Sequence, residues 1–250
     1  MDKIEIIYGL HAAKQRLRME PDSIQSVFCQ FGKENSAKHK ELVEIAKKKK
    51  IHIKWKDKSD LDKLSANGVH QGIILNCVNA TTLLDEGDLP SLIDACERAP
   101  LILILDCIQD PHNFGACLRS ADAAGVDFVV FPKDKSSPIT AVVRKVSCGA
   151  SEAVKLVSVT NLARAMRILK DSGVWLVGLA GEMDESTIYD VALTEPTAIV
   201  MGAEGDGLRR NTKNTCDYLV ELPMMGSVSS LNVSVATGVA LYEAVRQRQG

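Results

Sequence analysis

The chain has 250 residues, of which 46% are hydrophobic and 25% charged, and its formal net charge is −2. This length allows one large or two small domains, and the composition is that of an ordinary soluble globular protein. No apolar run approaches the roughly 18 residues of a membrane helix, and the first residues lack the apolar core of a signal peptide. These features exclude an integral membrane protein.

The cysteine and histidine content argues against a metal centre. The seven cysteines are scattered without a Cys-x-x-Cys pair, and the five histidines are dispersed. An odd number of scattered cysteines does not fit a disulfide framework or a zinc site. We therefore expect a cytoplasmic protein without a bound metal or a membrane partner.

Charge is distributed unevenly along the chain. Residues 1–78 carry 15 Lys and Arg against 10 Asp and Glu, whereas residues 79–250 carry 15 against 22. A basic N-terminal part suggests a module that binds a polyanion. The alternative is that the lysine run Lys47–Lys50 is only the solvated end of a helix.

The first 78 residues alternate helix and strand patterns. Ser59 is a plausible N-cap of the last of these helices, with Asp62 three residues further on. The pattern predicts a compact α/β unit with its own core. Its predicted elements are a helix from Tyr8, a strand at 24–28, a helix at 36–49, a strand at 51–55, a helix from Ser59 and a strand at 72–78.

Residues 79–98 are polar and weakly patterned, and we expect a linker that ends in a short helix. From Pro100 onward, longer apolar strands alternate with helices, which predicts a parallel sheet covered on both faces. The predicted strands are 101–105, 128–131, 153–157, 175–180, 198–201 and 219–222, and the predicted helices are 113–124, 139–146, 162–170 and 232–248.

Three loops that follow strands in this second part carry the chemistry, because ligands of α/β sheets gather at the carboxyl ends of the strands. In the first loop, residues 106–120, Asn113 can cap the next helix, and both Asn113 and Arg119 could point toward one phosphate or sugar. For this loop alone, a capped helix with a surface arginine is the favoured explanation.

The second loop, residues 200–208, has three glycines in a Gly-x-x-Gly-x-Gly spacing around Glu204. Such spacing suggests a tight turn against a ligand but is not the dinucleotide fingerprint. The third loop, residues 222–236, offers apolar walls at Leu222 and Met224 and polar groups at Ser229, Ser230 and Asn232. Ser230 lacks a nucleophile elbow and no histidine follows His112, which disfavours a serine triad.

Taken together, the three loops resemble the three motifs of the SpoU (TrmH-like, SPOUT class) RNA 2′-O-ribose methyltransferases, in order and at that family's spacing. The resemblance covers residues 99–250. Residues 1–78, which open with Gly-x-His-Ala, resemble the ribosomal-protein-L30e-like substrate domain of the family's ribosomal RNA branch.

The resemblance implies a fold and a cofactor that the residues alone do not show. The fold is an α/β methyltransferase domain with a deep trefoil knot, preceded by the small L30e-like α/β domain. The cofactor is S-adenosyl-L-methionine, bound within the knot. The assembly is an obligate homodimer in which the first-motif arginine of one subunit serves the site of the other.

The resemblance also implies roles for individual residues. Arg119 matches the arginine that acts on the ribose hydroxyl or positions an RNA phosphate, while Asn113 and Glu204 shape the site and hold Arg119. Ser230 and Asn232 bind the RNA phosphate or orient Arg119. The positions that match those cradling the adenosine, mainly through backbone groups, are Gly202, Leu222, Met224 and Leu231.

The implied activity is 2′-O-methylation of a guanosine in 23S ribosomal RNA. Methylation of a tRNA guanosine is the alternative within the same class. A protein that binds ribosomal RNA or assists ribosome assembly without catalysis is the alternative from another class.

Overall fold

The protein is described by a computed structural model that covers residues 4–78, 83–180, 186–205 and 207–249. Residues 79–82 of the expected linker and Asp206 of the glycine-rich loop lie outside the described residues. The chain divides into two compact units. The first comprises Met1–Thr82 and Ile139–Ala153, and the second comprises Leu83–Pro138 and Val154–Gly250.

Helices and strands alternate along most of the described chain. The strands are β1 Ile4–Tyr8, β2 Ile24–Gln30, β3 His52–Lys56, β4 Ile73–Val78, β5 Leu101–Asp106, β6 Phe128–Pro132, β7 Lys155–Val159, β8 Trp175–Leu179, β9 Thr197–Gly202 and β10 Tyr218–Val220. The α-helices are α1 Leu10–Met19, α2 Ala37–Lys48, α3 Lys58–Leu64, α4 Leu89–Asp94, α5 Pro111–Ala123, α6 Ala141–Val146, α7 Ala150–Ala153, α8 Leu162–Asp171, α9 Arg210–Lys213 and α10 Val233–Gln249.

The first unit is built on a four-stranded sheet in the order β1-β4-β2-β3. Strand β4 runs antiparallel to both β1 and β2, and β2 runs parallel to β3. Because side chains alternate between the faces of a strand, the sheet has two cores. Leu17 of α1 and Leu42 of α2 pack in one core, and Leu61 of α3 packs with Phe28 and Ile74 in the other.

The predicted cap of α3 is wrong. Ser59 lies inside the helix, and Asp57 occupies the N-cap position without a side-chain cap hydrogen bond. The helix therefore begins two residues earlier than a Ser59 cap would place it, because Asp57 already has the extended backbone that an N-cap residue needs.

The second unit contains a six-stranded sheet in the order β10-β8-β9-β5-β6-β7. Every neighbouring pair in this sheet is parallel, which confirms the predicted parallel α/β architecture. All six residues of β5 and of β9 are buried. These central strands are continuous apolar runs because helices cover both faces of a parallel sheet.

The part of the expected linker that the structure describes is packed into the second unit. Leu84 pairs with Val157 beside β7, and Leu89 and Leu92 of α4 are buried in the core of the large sheet. Residues 83–98 are therefore not the free linker that we expected, because their leucines pack into the core of the second unit.

The segment Ile139–Ala153 groups with the first unit, although the sequence placed it in the domain that begins at residue 99. The Glu152 side chain is fully buried and forms ion pairs with Arg16 of α1, at 2.9 Å, and with Arg144 of α6. Sequence patterns missed this because the paired residues Arg16 and Glu152 are 136 positions apart.

No helix in the described part of the chain is long and apolar enough to cross a membrane.

We predict that Glu152→Gln lowers the free energy of unfolding of the first unit by about 3 kcal/mol, because two buried guanidinium groups lose their shared counter-charge. Urea unfolding followed by Trp55 fluorescence in a Trp175→Phe background measures this unit. The matched control is Glu41→Gln, whose pair with Lys14 lies at the surface and contributes little. Equal midpoints for the two variants would contradict the prediction.

Candidate active site

The three sequence-predicted loops meet at the carboxyl edge of the large sheet. Strands β5 and β9 are neighbours, and β10 lies two places from β9 in the same parallel sheet. The chain moves outward from β5 to β6 and β7 on one side and continues with β8 to β10 on the other. A ligand crevice forms where strand order reverses in this way.

The first loop leads directly into α5, whose cap differs from the prediction. Asp110 is the N-cap, and its carboxylate accepts hydrogen bonds from the backbone N–H groups of His112 at 3.3 Å and Asn113 at 3.0 Å. Pro111 occupies the first helical position, which its fixed φ favours. The prediction that Asn113 caps this helix is wrong, and its side chain is thereby available for other contacts.

The Asn113 side chain joins the three loops through a hydrogen-bond cluster. Its Nδ2 donates to Oε2 of Glu204 at 2.8 Å, and its Oδ1 accepts from Nδ2 of Asn232 at 3.0 Å. Oδ1 of Asn232 accepts from the backbone N–H of Ser234 at 3.0 Å and from its hydroxyl at 2.6 Å. One carboxylate and two amides from distant parts of the chain thus fix each other.

The glycine-rich loop folds back on itself directly after β9. Ala203 and Gly207 exchange two backbone hydrogen bonds, at 3.1 and 2.9 Å. A Cβ atom on Gly202 would lie 2.2 Å from the carbonyl carbon of Gly207. Only glycine allows the strand end and the returning loop to approach so closely.

Asp106 and Arg209 close the base of this loop, and the sequence analysis did not assign a role to either. Asp106 is fully buried. Its carboxylate accepts hydrogen bonds from Nε of Arg209 at 2.7 Å and from the Arg209 backbone N–H at 3.1 Å. An aspartate at the end of an otherwise apolar strand was the available signal, since a buried carboxylate requires a partner.

A cavity of about 510 Å³ opens beside the cluster. Six of the predicted catalytic and cofactor-binding residues line it, namely Gly202, Glu204, Leu222, Met224, Ser230 and Leu231. The sequence analysis missed its two other charged lining residues, Lys213 and Glu221, and the apolar wall from β8, Leu179 and Ala180. The lining mixes backbone from the glycine loop with apolar side chains, as in many small-molecule sites.

Arg119 does not join the cluster of its own chain. Its side chain is exposed, and no polar partner for it is found among the described residues. Six residues along an α-helix correspond to a rotation of about 600°, so Arg119 lies about 120° around α5 from Asn113. The expectation that both side chains point to one group is therefore not met within a single subunit.

The cysteine next to Asp106 is a poor candidate for a covalent nucleophile. Burial and the adjacent Asp106 carboxylate raise the pKa of the Cys107 thiol, which disfavours the reactive thiolate at neutral pH. Within the described residues, no group of three or more His, Cys, Asp or Glu side chains is arranged to hold a metal ion. The site instead offers a cavity, a hydrogen-bond cluster and a nearby arginine.

Two family models match the sequence. The SpoU rRNA Methylase family matches residues 100–242, and the family described as RNA 2′-O ribose methyltransferase substrate binding matches residues 6–82. Together they include all three loops of the site and nearly all of the first unit's N-terminal segment.

Two relatives carry the description 23S rRNA (guanosine-2′-O-)-methyltransferase RlmB. The protein of Pectobacterium atrosepticum is 50% identical over 246 residues, which cover 98% of this chain and 99% of the relative. The protein of Escherichia coli strain K12 is 50% identical over 244 residues, with the same coverage of both chains.

Solved structures share the fold. The SpoU methyltransferase AviRb from Streptomyces viridochromogenes, in complex with the cofactor AdoMet, matches with a TM-score of 0.80 at 23% identity, covering 98% of this chain and 91% of that one. The A. aeolicus TrmH/SpoU tRNA modifying enzyme matches with a TM-score of 0.57 at 32% identity, covering 66% of this chain and 84% of that one.

We predict that Gly202→Ala destabilises the second unit by about 1–3 kcal/mol, because the new methyl group meets backbone that cannot move aside freely. Thermal unfolding of the purified variant measures the change. Gly226→Ala is the matched control, since its Cβ would enter open space and surface changes of this kind stay within about 0.5 kcal/mol. Equal unfolding temperatures for both variants would refute the close approach.

Proposed function

This chain belongs to the SpoU rRNA methylase family, and from that membership we propose that it methylates the ribose 2′-hydroxyl of a guanosine in 23S ribosomal RNA. S-adenosyl-L-methionine is the methyl donor. The observation that carries the proposal is the 510 Å³ cavity beside the Asn113, Glu204 and Asn232 cluster. The curated relatives at 50% identity over nearly the full length support the choice of RNA.

The cavity fits the cofactor in size and lining. Its volume lies within the roughly 300–1,000 Å³ of small-molecule sites. Gly202 leaves backbone at the surface for the adenosine, while Leu222, Met224 and Leu231 form apolar walls for its base. When bound, the cofactor supplies an electrophilic methyl group on a sulfonium. The AviRb structure, whose chain matches this fold, contains that cofactor.

The chain's residues then have to bring the ribose hydroxyl into line with the methyl group. As the oxygen–methyl bond forms and the sulfur–methyl bond breaks, the hydroxyl proton is lost to solvent. Glu204 lines the cavity and is held by hydrogen bonding to Asn113, which in turn accepts from Asn232, and Ser230 offers a hydroxyl in the same lining. Ser230 and Asn232 bind the RNA phosphate next to the reacting ribose. No covalent enzyme intermediate is required.

Arg119 is the catalytic arginine of the proposal. A guanidinium group has no free lone pair to accept a proton, so it is a poor base but a strong bidentate ligand for phosphate. We assign it to the reacting nucleotide, where it holds the phosphate and lowers the cost of forming an alkoxide on the neighbouring hydroxyl.

The functional assembly is a homodimer in which Arg119 reaches the cavity of the partner subunit. Arg119 is exposed and outside the cluster of its own chain, which supports an action across an interface. Large apolar side chains also stand exposed on the third loop and on α10, as expected for a surface that another chain covers. They are Met225, Val228, Leu231, Val235 and Tyr242.

The knot of the methyltransferase domain is part of the same proposal. The segment from β9 to α10 supplies both the glycine loop and the third loop, and α10 packs against α5 and β9. Threading of this segment through an earlier loop would bring two distant loops onto one cofactor. Such a topology is rare and rests on family membership.

The first unit is proposed as the L30e-like domain that recognises the RNA substrate, with the protein acting in the cytoplasm and without a metal. The substrate-binding family match over residues 6–82 and the net positive charge of residues 1–78 support this role. Such charge attracts phosphates irrespective of sequence.

We predict that the protein, given radiolabelled S-adenosylmethionine, labels a single guanosine ribose in 23S rRNA and leaves 16S rRNA and tRNA unlabelled. Mapping by primer extension and nuclease digestion identifies the nucleotide. Label confined to tRNA would show that the substrate is tRNA, as in the alternative within the same class. Cofactor binding by calorimetry without label in any RNA would support the non-catalytic alternative.

We predict that Arg119→Ala lowers kcat by about a hundredfold or more, because positioning of the reacting groups is lost. Arg167→Ala is the matched control, since Arg167 is also an exposed helical arginine but lies outside the three loops. Single-turnover methylation of the 23S fragment measures both variants.

The same variant tests the shared site. Mixing inactive Arg119→Ala with inactive Asn232→Ala should restore about a quarter of the wild-type activity, since random pairing produces mixed dimers with one complete site. Absence of any recovery, or sedimentation as a monomer, would contradict action across the interface.

A further inference from the structure

A run of positive charge in the first unit has no part in the site described above. Residues 47–58 contain seven lysines and one histidine against a single acidic residue, Asp57. Within the part of the chain that the structure describes, none of these lysines forms an ion pair with a carboxylate. The run is therefore available to an anionic partner.

The fold spreads this run along one border of the small sheet. Lys47 and Lys48 end α2, Lys49 and Lys50 follow it, and all four are exposed before the chain enters β3. Strand β3 is the last in the order β1-β4-β2-β3, and in the described residues it pairs with β2 alone. Its five residues extend over about 17 Å, which spreads the lysines over several nucleotides of RNA.

The two faces of β3 carry different groups at this border. Lys54 and Lys56 lie on one face, where their Nζ atoms stand 6.0 and 5.5 Å from the centre of the Phe28 ring. Trp55 lies on the other face and packs partly into the core. Lysines held over an aromatic ring lose some of their conformational freedom before any RNA binds, which favours binding of a further anion.

An exposed aromatic ring completes the border. Phe31 follows β2, and its ring stacks on Trp55 with centroids 6.4 Å apart and planes inclined by 28°. More than half of the Phe31 side chain, 54%, remains exposed. A large exposed ring held on a second ring, at the same sheet border as the lysines, fits an unpaired base better than a purely ionic partner, because stacking requires a free aromatic face.

We propose that this border, formed by Phe31 and residues 47–58 and here named the β3 edge, binds a single-stranded segment of the substrate RNA. The lysines hold successive phosphates, and Phe31 stacks on an unpaired base. This inference rests on the proposed function, since it assigns the substrate's contact surface. Single-stranded RNA is the chosen partner because duplexed bases do not expose their faces to a side chain.

The experiment uses the full-length protein and a short fluorescent single-stranded RNA from the methylated region, titrated over a range of salt concentrations. Phe31→Ala is expected to weaken binding about tenfold without changing the salt dependence, because stacking is uncharged. The pair Lys54→Ala and Lys56→Ala is expected to reduce the slope of log affinity against log salt by about 1.4, or 0.7 per lost phosphate contact.

Two further variants guard against misfolding and general charge effects. The pair Lys47→Ala and Lys48→Ala leaves the Phe28 ring covered and should reduce the slope by the same amount. The pair Lys145→Ala and Lys155→Ala removes equal charge from exposed positions outside the β3 edge and should leave the slope unchanged. The same RNA annealed into a duplex should bind Phe31→Ala as it binds the wild type.

Methylation of 23S rRNA is measured on the same samples to separate this inference from the proposed function. If the wild type methylates 23S rRNA and all β3-edge variants bind RNA as the wild type does, the proposed role of the β3 edge is wrong but the proposed function stands. The lysines would then serve only to prevent other strands from pairing with the exposed edge of the sheet. Weakened binding in those variants, with no methylation by the wild type, would uphold the β3 edge and overturn the function.

Discussion

Asp106 lies fully buried at the carboxyl end of β5 and holds both ends of the glycine-rich loop. Its backbone stands opposite Gly202 in the β5–β9 register, and its carboxylate receives the main-chain N–H and the guanidinium of Arg209. Both ends of the loop between Gly202 and Arg209 are thus held at Asp106. A buried carboxylate without its arginine would be costly, so the closed form of the loop is strongly favoured.

This closure determines what the site can do. With its ends fixed and its glycines allowing close backbone approach, the loop directs Glu204 to the amides of Asn113 and Asn232. The cavity then has a rigid polar wall on one side and backbone on another. Rigid placement is what a displacement reaction requires, because correct orientation of the reacting groups supplies much of the rate. The acceptor RNA and the arginine of the partner subunit complete the proposed site from outside.

The sequence predicted the parts of this arrangement that depend on local patterns. Apolar runs located the strands, and the three loops were expected at one sheet edge because parallel strands end together. It did not predict the pair of Asp106 and Arg209, since the partners are 103 positions apart. It also misplaced the cap of α5, because Asn113 and Asp110 are both good caps and only the Pro111 position distinguishes them. The ion pairs of the buried Glu152 were missed because hydrophobic periodicity can indicate which positions are buried but not which residues pair with each other.

The uneven charge of the chain follows from the two ligands of the proposed reaction. The cofactor carries a positive sulfonium, whereas the RNA is a polyanion. A uniformly basic surface would therefore attract the RNA but repel the cofactor. Residues 79–250, which form the cavity, have a net charge of −7, and residues 1–78 have a net charge of +5. The proposed function assigns affinity for RNA to the separate first unit, where long-range attraction would depend on salt. The cavity needs no strong positive charge of its own, and its charged lining residues are Lys213, Glu204 and Glu221.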